Sequence, residues 1–202
     1  MIAVINYGAG NIGSVVNAVT KLGYRPTLTD AVSDFLKADA VFLPGVGAAA
    51  DTMKSLAAAG IDDAVRKLVE LKRPLFAICV GLQVLLTGTE EGGDHKCLDI
   101  IPGRVRKLPA GLKIPHMGWN QVKQVGAHPI FSDIPDNTNF YFVHSYYAHP
   151  LDTSVVAGVT EYGIEFCSMI IKDNLFATQF HPEKSGEAGL KMYSNFLKMA
   201  CS

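Results

Sequence analysis

The segment from Pro74 to Gln83 constrains the fold more than any other part of the chain. It begins as a continuous apolar run of strand length, reaches Cys79, and then takes on helical spacing through Gly81 and on to Leu86. This pattern predicts a buried strand that turns sharply into a helix, with the cysteine at the turn. Ala77 and Gly81, two positions before and after the cysteine, are small enough for the tight bend of a nucleophile elbow.

Such a turn would place the sulfur of Cys79 above a sheet and make it reactive. Backbone N–H groups at the start of the following helix favour a thiolate, which is the nucleophilic form of cysteine. They can also donate to an oxyanion. The alternative is that Cys79 is only a small buried apolar residue, as many unpaired cysteines are.

A second strand pattern, residues 175–180, ends in His181, Pro182 and Glu183. A cysteine nucleophile needs a general base, and that base needs an anion to hold its ring in the correct tautomer. Pro182 restricts His181 to extended conformations, so the two side chains are presented in a reproducible geometry. The sequence therefore predicts a catalytic triad of Cys79, His181 and Glu183, with a loop histidine and a solvated acid as the alternative.

Strand and helix patterns alternate through the first half of the chain. Strands are predicted at 2–6, 24–29, 38–43 and 74–79, and helices at 48–59 and 61–71. After Gly13, a further helical pattern places Val15, Val16, Val19 and Leu22 on one face. This alternation predicts an α/β fold with a doubly wound, mostly parallel sheet and helices on both faces. The sequence pattern predicts a loop over residues 87–97 and short antiparallel additions to the sheet over residues 101–160. It also predicts a closing helix over residues 189–200. We therefore expect a single domain over residues 1–202.

Composition excludes several classes of function. Lys and Arg number 18 against 19 Asp and Glu, without a basic tract, which argues against nucleic acid and anionic membranes as partners. Four distant cysteines (Cys79, Cys97, Cys167 and Cys201) without a C-x-x-C pair argue against a zinc site and a disulfide framework. The N-terminal apolar stretch is too short for a signal peptide, and no apolar run suffices to span a bilayer. We expect a cytoplasmic protein without metal or cofactor.

The elbow followed by Gly81, Leu82 and Gln83, together with the late His-Pro-Glu, resembles the class I, or triad, glutamine amidotransferases. The chain departs from this family at Ala77, where the family usually has Gly. The resemblance implies that glutamine is the substrate and is hydrolysed to glutamate and ammonia through a thioester on Cys79. These steps need neither metal nor organic cofactor.

The third predicted strand runs into Pro44, Gly45, Val46 and Gly47. A loop with two glycines at the carboxyl end of a strand can turn backbone N–H groups toward developing negative charge, although an ordinary turn would look the same. The segment resembles the oxyanion strand of the family. The resemblance implies that the N–H groups of Val46, Gly47 and Val80 are oxyanion donors.

The resemblance also implies how glutamine is held. Gln83 and Glu91 would contact the substrate, with Glu91 binding its α-ammonium group, unless Glu91 is only a solvated acid. His144, Ser145 and Tyr146, in an aromatic-rich strand pattern, would line the substrate pocket. For His144 and Tyr146 the alternative is an ordinary place in the core.

Three segments resemble one branch of the class more closely, in which the glutaminase subunit forms a heterodimer with a cyclase subunit that consumes the ammonia. They are the N-terminal Asn-Tyr-Gly-Ala-Gly-Asn, Pro-His-Met-Gly-Trp-Asn at 115–120, and His-Pro-Glu-Lys-Ser at 181–185. The resemblance implies that Asn11, Trp119 and Lys184 face the partner.

Other functions stay open at this stage. The chain could serve another synthase of the same class, in anthranilate, aminodeoxychorismate or pyridoxal phosphate synthesis. Gly8, Gly10 and Gly13 spell G-x-G-x-x-G after a strand, with Asp30 near the expected acidic position, which is typical of a dinucleotide-binding module. A stand-alone cysteine hydrolase is a third possibility, but the chain supplies no second substrate site for it.

Overall fold

The computed structural model describes residues 1–8 and 11–201. The helices are α1 (Ile12–Lys21), α2 (Val32–Lys37), α3 (Ala49–Ala58), α4 (Asp62–Glu70), α5 (Val80–Gln83) and α6 (Gly186–Ala200). The strands are β1 (Ile2–Ile5), β2 (Pro26–Thr29), β3 (Ala40–Gly45), β4 (Leu75–Cys79), β5 (Leu86–Thr89), β6 (His95–Lys96), β7 (Ile101–Lys107), β8 (His116–Gln124), β9 (Thr138–His144), β10 (Tyr146–Pro150), β11 (Val156–Glu161), β12 (Glu165–Lys172) and β13 (Leu175–Thr178). Short 3-10 turns lie at Pro129–Phe131, Thr153–Val155 and Pro182–Lys184.

The parallel part of the sheet has the strand order β2, β1, β3, β4, β13. Strand β12 continues it antiparallel to β13, followed by β10, β7, β5 and β6. Strands β11, β8 and β9 branch from β12 as an antiparallel extension. Helices α1 and α6 contact each other, whereas α4 contacts α2 and α3, as expected of helices on two faces. The predicted α/β class with antiparallel additions is confirmed.

Aromatic packing attaches the last helix to the centre of the sheet. Phe42 of β3 and Phe76 of β4 meet Tyr193 and Phe196 of α6 edge-on, with ring centroids 5.1–5.3 Å apart. All four side chains are fully buried, and each contributes about 1.5–3 kcal/mol through burial. Because α6 begins at Gly186, this packing also fixes the segment from His181 that leads into it.

Strand β3 and helix α5 approach each other at backbone distance. A Cβ atom on Gly81 would lie 2.5 Å from the carbonyl oxygen of Leu43. A Cβ atom on Gly45 would lie 2.3 Å from the backbone nitrogen of Gly81. Glycine at both positions therefore allows the helix of the elbow to sit directly on the neighbouring strand.

The prediction of a loop over residues 87–97 is correct for residues 90–94 and wrong for the segments on either side of them. Leu86–Thr89 forms β5, which pairs in parallel with β7, and His95–Lys96 forms β6 against it. The elbow helix ends at Gln83, so Leu86 belongs to a strand and not to that helix. Helix α2 (Val32–Lys37) was not predicted. None of the helices in residues 1–8 and 11–201 is long and apolar enough to cross a membrane.

Candidate active site

Cys79 is the last residue of β4 and directly precedes α5. Its backbone has φ 55° and ψ −107°, a conformation that costs a residue with a side chain of order 1–3 kcal/mol and is typical of functional sites. The strain falls on the cysteine and not on Ala77, which is a fully buried strand residue between Leu43 and Ala177. Alanine in place of the family's usual glycine is therefore compatible with the elbow.

His181 and Glu183 form a buried pair beside the elbow. The ring Nδ1 atom of His181 lies 2.7 Å from Oε1 of Glu183, and both side chains are 1% exposed. The carboxylate also accepts hydrogen bonds from Asn11 Nδ2 (3.4 Å) and from the hydroxyl of Tyr193 (3.3 Å). These contacts fix the orientation of Glu183, and Glu183 in turn fixes the ring.

The second ring nitrogen of His181, Nε2, is buried and has no hydrogen-bond partner within the described part of the chain. Cys79 and His181 line the same cavity. Burial is the largest influence on the pKa of His181 and acts to lower it. The interactions with Cys79 and then Glu183 outweigh burial, and they raise the pKa to about 9. The three predicted triad residues thus meet at the ends of the neighbouring parallel strands β4 and β13.

Gln179, between β13 and His181, is a site residue that the motifs did not indicate. Its side-chain Nε2 donates to the sulfur of Cys79 at 3.7 Å, and its Oε1 accepts from Nε2 of Gln83 at 3.0 Å. The side chain is fully buried. A glutamine at the end of an otherwise apolar strand, two positions before the histidine, was the only signal for it.

A cavity of about 280 Å³ opens in front of the sulfur. The predicted oxyanion and substrate-contacting residues all line it, together with two triad residues and Lys184. Two further lining residues, Pro115 and Val143, were not predicted. The predicted lining residues are Val46, Gly47, Cys79, Val80, Gln83, Glu91, His144, Ser145, Tyr146, His181 and Lys184.

The candidate oxyanion donors lie on two sides of the sulfur. Val80 is the first residue of α5, where backbone N–H groups have no acceptor within the helix. Val46 and Gly47 follow β3, which pairs with β4 up to the register of Gly45 with Cys79. Gly47 has φ +90°, in the region that glycine tolerates, so this peptide can adopt conformations closed to other residues.

The predicted substrate contacts are partly occupied by bonds within the protein. The side-chain Nε2 of Gln83 donates to the carbonyl oxygen of Tyr146 and to Gln179, both at 3.0 Å, which leaves its Oε1 available to the cavity. The carboxylate of Glu91 accepts the backbone N–H of Ala49 at 2.9 Å, at the start of α3. Both side chains still line the cavity, so each can contact a ligand with its remaining oxygen.

His144 belongs to a chain of neutral hydrogen bonds. Its Nδ1 donates to the carbonyl oxygen of Tyr146 (2.8 Å), and its Nε2 accepts from Nδ1 of His116 (2.9 Å). Asn120 Nδ2 in turn lies 3.2 Å from Nε2 of His116. Burial lowers the pKa of His144 to about 3 and that of His116 to about 4, so both rings are uncharged at neutral pH.

The predicted partner-facing residues Trp119 and Lys184 form one surface patch with Tyr141. Trp119 is 58% exposed and meets the Tyr141 ring edge-on at 6.1 Å between centroids. Lys184 Nζ lies 5.9 Å above the same ring. Asn11, the third predicted residue of this kind, contacts Glu183. Gly10 of the dinucleotide-like motif lies outside the described residues.

The sequence profile described as glutamine amidotransferase class-I matches residues 3–200. This chain belongs to that family. Imidazole glycerol phosphate synthase subunit HisH from Dehalococcoides mccartyi strain CBDB1 is 58% identical over 200 residues, covering 99% of this chain and 98% of the relative. The protein of the same name from Chloroflexus aurantiacus is 53% identical over 203 residues, covering 98% of this chain and 95% of the relative. The predicted family is confirmed.

Two solved structures share the fold. A crystal structure of a glutamine amidotransferase superposes with a TM-score of 0.78 at 19% identity and covers 100% of both chains. PurLQS from Thermotoga maritima superposes with a TM-score of 0.77 at 18% identity, covering 98% of this chain and 97% of that one. At such low identities the likeness concerns the fold alone.

Proposed function

We propose that this class I amidotransferase is the glutaminase subunit of imidazole glycerol phosphate synthase and acts as one domain over residues 1–202. The observation that carries the proposal is that Cys79, on a strained elbow, and a buried His181, whose ring is held by Glu183, line the same cavity. The full-length identity to proteins named as a subunit of that synthase supports the choice within the family.

The first half of the reaction is acyl transfer to sulfur. With a pKa of about 9, His181 holds the proton at neutral pH, and a protonated imidazole beside Cys79 favours the thiolate. The thiolate attacks the side-chain amide carbon of glutamine, and the carbonyl oxygen becomes an oxyanion that accepts from the N–H groups of Val80 and of Val46 or Gly47. His181 then gives its proton to the leaving nitrogen, so ammonia departs and a glutamyl thioester remains.

The second half returns the enzyme to its starting state. Neutral His181 takes a proton from water, and the resulting hydroxide equivalent attacks the thioester carbon. The second tetrahedral intermediate collapses to glutamate and expels the sulfur as a thiolate, again beside an imidazolium. Glu183 keeps the ring in one tautomer and stabilises its charged form in both halves.

Ammonia that escapes into water is protonated and stops being a nucleophile, so the subunit is expected to dock on an enzyme that consumes it. By its resemblance to the histidine-biosynthetic branch, the partner is a cyclase that yields imidazole glycerol phosphate and an aminoimidazole carboxamide ribotide. We assign the patch of Trp119, Tyr141 and Lys184 to this contact, because Lys184 also lines the cavity. The cysteines are free thiols, which is consistent with the reducing cytoplasm as the place where the heterodimer acts: Cys79, Cys97, Cys167 and Cys201.

Replacement of the nucleophile tests the mechanism. Cys79→Ala should abolish glutamine hydrolysis, while the complex with the cyclase subunit still uses added ammonia, since the cyclase site is untouched. Release of glutamate and formation of imidazole glycerol phosphate are measured with each nitrogen source. Cys201→Ala, at an exposed thiol, is the matched control and should behave as the unmodified protein. Glutaminase turnover in Cys79→Ala would contradict the mechanism.

A second experiment separates this function from its rivals. Glutamine hydrolysis is measured alone, with the cyclase subunit and its substrate, and with synthase subunits for anthranilate or aminodeoxychorismate. Stimulation by the cyclase alone is expected. Titration with NAD tests the dinucleotide alternative. The structure weakens it, because Gly13 lies in α1 and no part of the described chain beyond its neighbours and its own helix would contact a Cβ there, so glycine is not required. Tight NAD binding would revive that alternative.

A further inference from the structure

One carbonyl oxygen determines the direction of the hydrogen bonds that reach the nucleophile. The main-chain oxygen of Tyr146 can only accept, so the side-chain atom of Gln83 that lies 3.0 Å from it must be the nitrogen. The other hydrogen on this nitrogen points to Gln179, 3.0 Å away, so the atom that receives it must be the oxygen of that amide. The amide nitrogen of Gln179 is thereby turned toward the sulfur of Cys79, at 3.7 Å.

The reverse orientation of the Gln179 amide is disfavoured by its surroundings. If the amide were turned over, the amide nitrogen of Gln179 would face the amide nitrogen of Gln83, so two donors would meet without an acceptor. The amide oxygen of Gln179 would then face the sulfur of Cys79. Both Gln83 (3% exposed) and Gln179 (0%) are buried, so water does not compensate for such a mismatch. The donor is therefore aimed at the sulfur before any substrate arrives.

We infer that Gln179 is a positioning residue for the nucleophile: its amide, locked through Gln83 by the Tyr146 carbonyl, donates to the sulfur of Cys79 and stabilises the thiolate. A hydrogen bond to the charged form of an acid favours ionisation. The neutral amide does this without competing with His181 for the proton. The inference deepens the proposed function, on which it rests for its kinetic test.

The charge state of Cys79 is measured directly by its rate of alkylation with iodoacetamide across a range of pH. The experiment uses a Cys201→Ser background, because Cys201 is an exposed free thiol. Cys97 and Cys167 are buried, and burial raises their pKa values to about 11 and about 12, so they remain protonated at neutral and mildly basic pH. Gln179→Met keeps the length of the side chain and removes the donor.

Gln179→Met should move the midpoint of alkylation to higher pH. It should lower kcat for glutamine by roughly 10- to 100-fold, the usual effect of a lost hydrogen bond to a charged group, and leave KM nearly unchanged. Gln83→Met removes the hydrogen bond that orients the Gln179 amide but keeps the amide itself. It should therefore shift the alkylation midpoint of Cys79 in the same direction, by a smaller amount. It therefore decides the question if Gln179→Met does not fold.

Thr178→Val provides the matched control on the same strand. Thr178 is fully buried, and its hydroxyl donates to the carbonyl oxygen of Phe180 at 2.9 Å, away from the sulfur. This variant should lose stability in thermal unfolding without a change in the alkylation midpoint. An alkylation midpoint in Gln179→Met equal to that of the parent would overturn the inference. Absence of glutaminase activity in the parent complex would instead overturn the proposed function and leave the alkylation result intact.

Discussion

At the scale of single residues, the site depends on how Glu183 is held. Its two oxygens accept from His181, Asn11 and Tyr193, and its side chain is 1% exposed. The contact of this carboxylate with the ring is one of the interactions that raise the pKa of His181. With that pKa at about 9, the imidazole ring of His181 carries the proton at neutral pH before glutamine is attacked.

Glu183→Gln should lower the pKa of His181 from about 9 toward the value of about 6.5 expected for an unfolded chain. Because the folded-state pKa is the higher one, this proton stabilises the fold fully below pH 6.5, and the contribution is lost as pH rises to about 9. The variant should lose stability relative to the parent mainly below pH 6.5, with little difference above pH 9. Urea unfolding across this range and NMR titration of the ring measure both effects.

Glu187→Gln on α6 is the matched control for this prediction. Glu187 is exposed, so its loss should leave both the His181 titration and the pH dependence of stability unchanged. A stability difference between Glu183→Gln and the parent that is the same at every pH would show that the carboxylate contributes packing alone.

The sequence predicted the triad from local motifs at strand ends, and its family resemblance implied the oxyanion donors and the substrate contacts. It did not predict Gln179, whose role depends on Gln83 and Tyr146, residues that the sheet brings together from elsewhere in the chain. His116 was noted only as part of the segment 115–120 that resembles one branch of the class, and no role was predicted for it. In β8 it alternates with exposed Met117, so it points inward and pairs with His144.

At the scale of elements, the elbow depends on the contact of α5 with β3. Gly81→Ala would push a methyl group against the Leu43 carbonyl oxygen, 2.5 Å from the new Cβ, and overpacking of this kind costs about 1–3 kcal/mol. It should lower the free energy of unfolding and also displace Cys79, so glutaminase activity falls more than stability explains. Chemical denaturation and single-turnover kinetics separate the two effects.

Gly13→Ala in α1 is the contrasting substitution. Among the described residues, none beyond its chain neighbours and the backbone of its own helix lies within 4 Å of a Cβ placed there, so alanine should stabilise the helix by about 0.5–1 kcal/mol. A Gly81→Ala variant as stable and active as the parent would refute the close approach of α5 to β3.

The hairpin of β8 and β9 makes the stability of the fold sensitive to acid, because His116 and His144 are buried as neutral rings. Their folded-state pKa values, about 4 and about 3, lie below the unfolded value of about 6.5, so stability is complete above pH 6.5 and is lost as pH falls. His116→Gln can still donate to His144 but has no charge to gain. It should flatten the acid side of the stability profile in thermal unfolding, whereas His149→Asn, at an exposed histidine, should not.

The elements that the sequence missed share a physical cause. Residues 86–89 and 95–96 form β5 and β6, although the segment is rich in Gly, Asp and Glu and has no apolar alternation. Strand β5 exists because it pairs with β7, a contact between segments that local composition does not encode. Helix α2 is only six residues long, too short for its period to be evident.

At the scale of the whole molecule, the cavity lies between two kinds of sheet. The parallel strands β4 and β13 supply Cys79 and lead into His181, and the antiparallel addition supplies Ser145, Val143 and Pro115 opposite them. The alternating patterns of the sequence were enough to predict the first part. The second part was predicted as antiparallel strands, but its contribution to the cavity depends on the branching of β11, β8 and β9 from β12, which only the structure gives.

The exposed patch beside this cavity leads to the last prediction. Trp119 packs edge-on against Tyr141, and Lys184 lies over the same ring, so the three side chains present one apolar and cationic surface. Exposed tryptophans are frequent hot spots of binding, so Trp119→Ala should weaken association with the cyclase subunit by about tenfold or more. Thermal stability should change little, because the side chain is 58% exposed. Leu151→Ala is the control, because Leu151 is 73% exposed and follows the last residue of β10. The affinity of each variant for the cyclase subunit is measured by calorimetric titration. Equal affinities for both variants would show that the patch is not part of the interface.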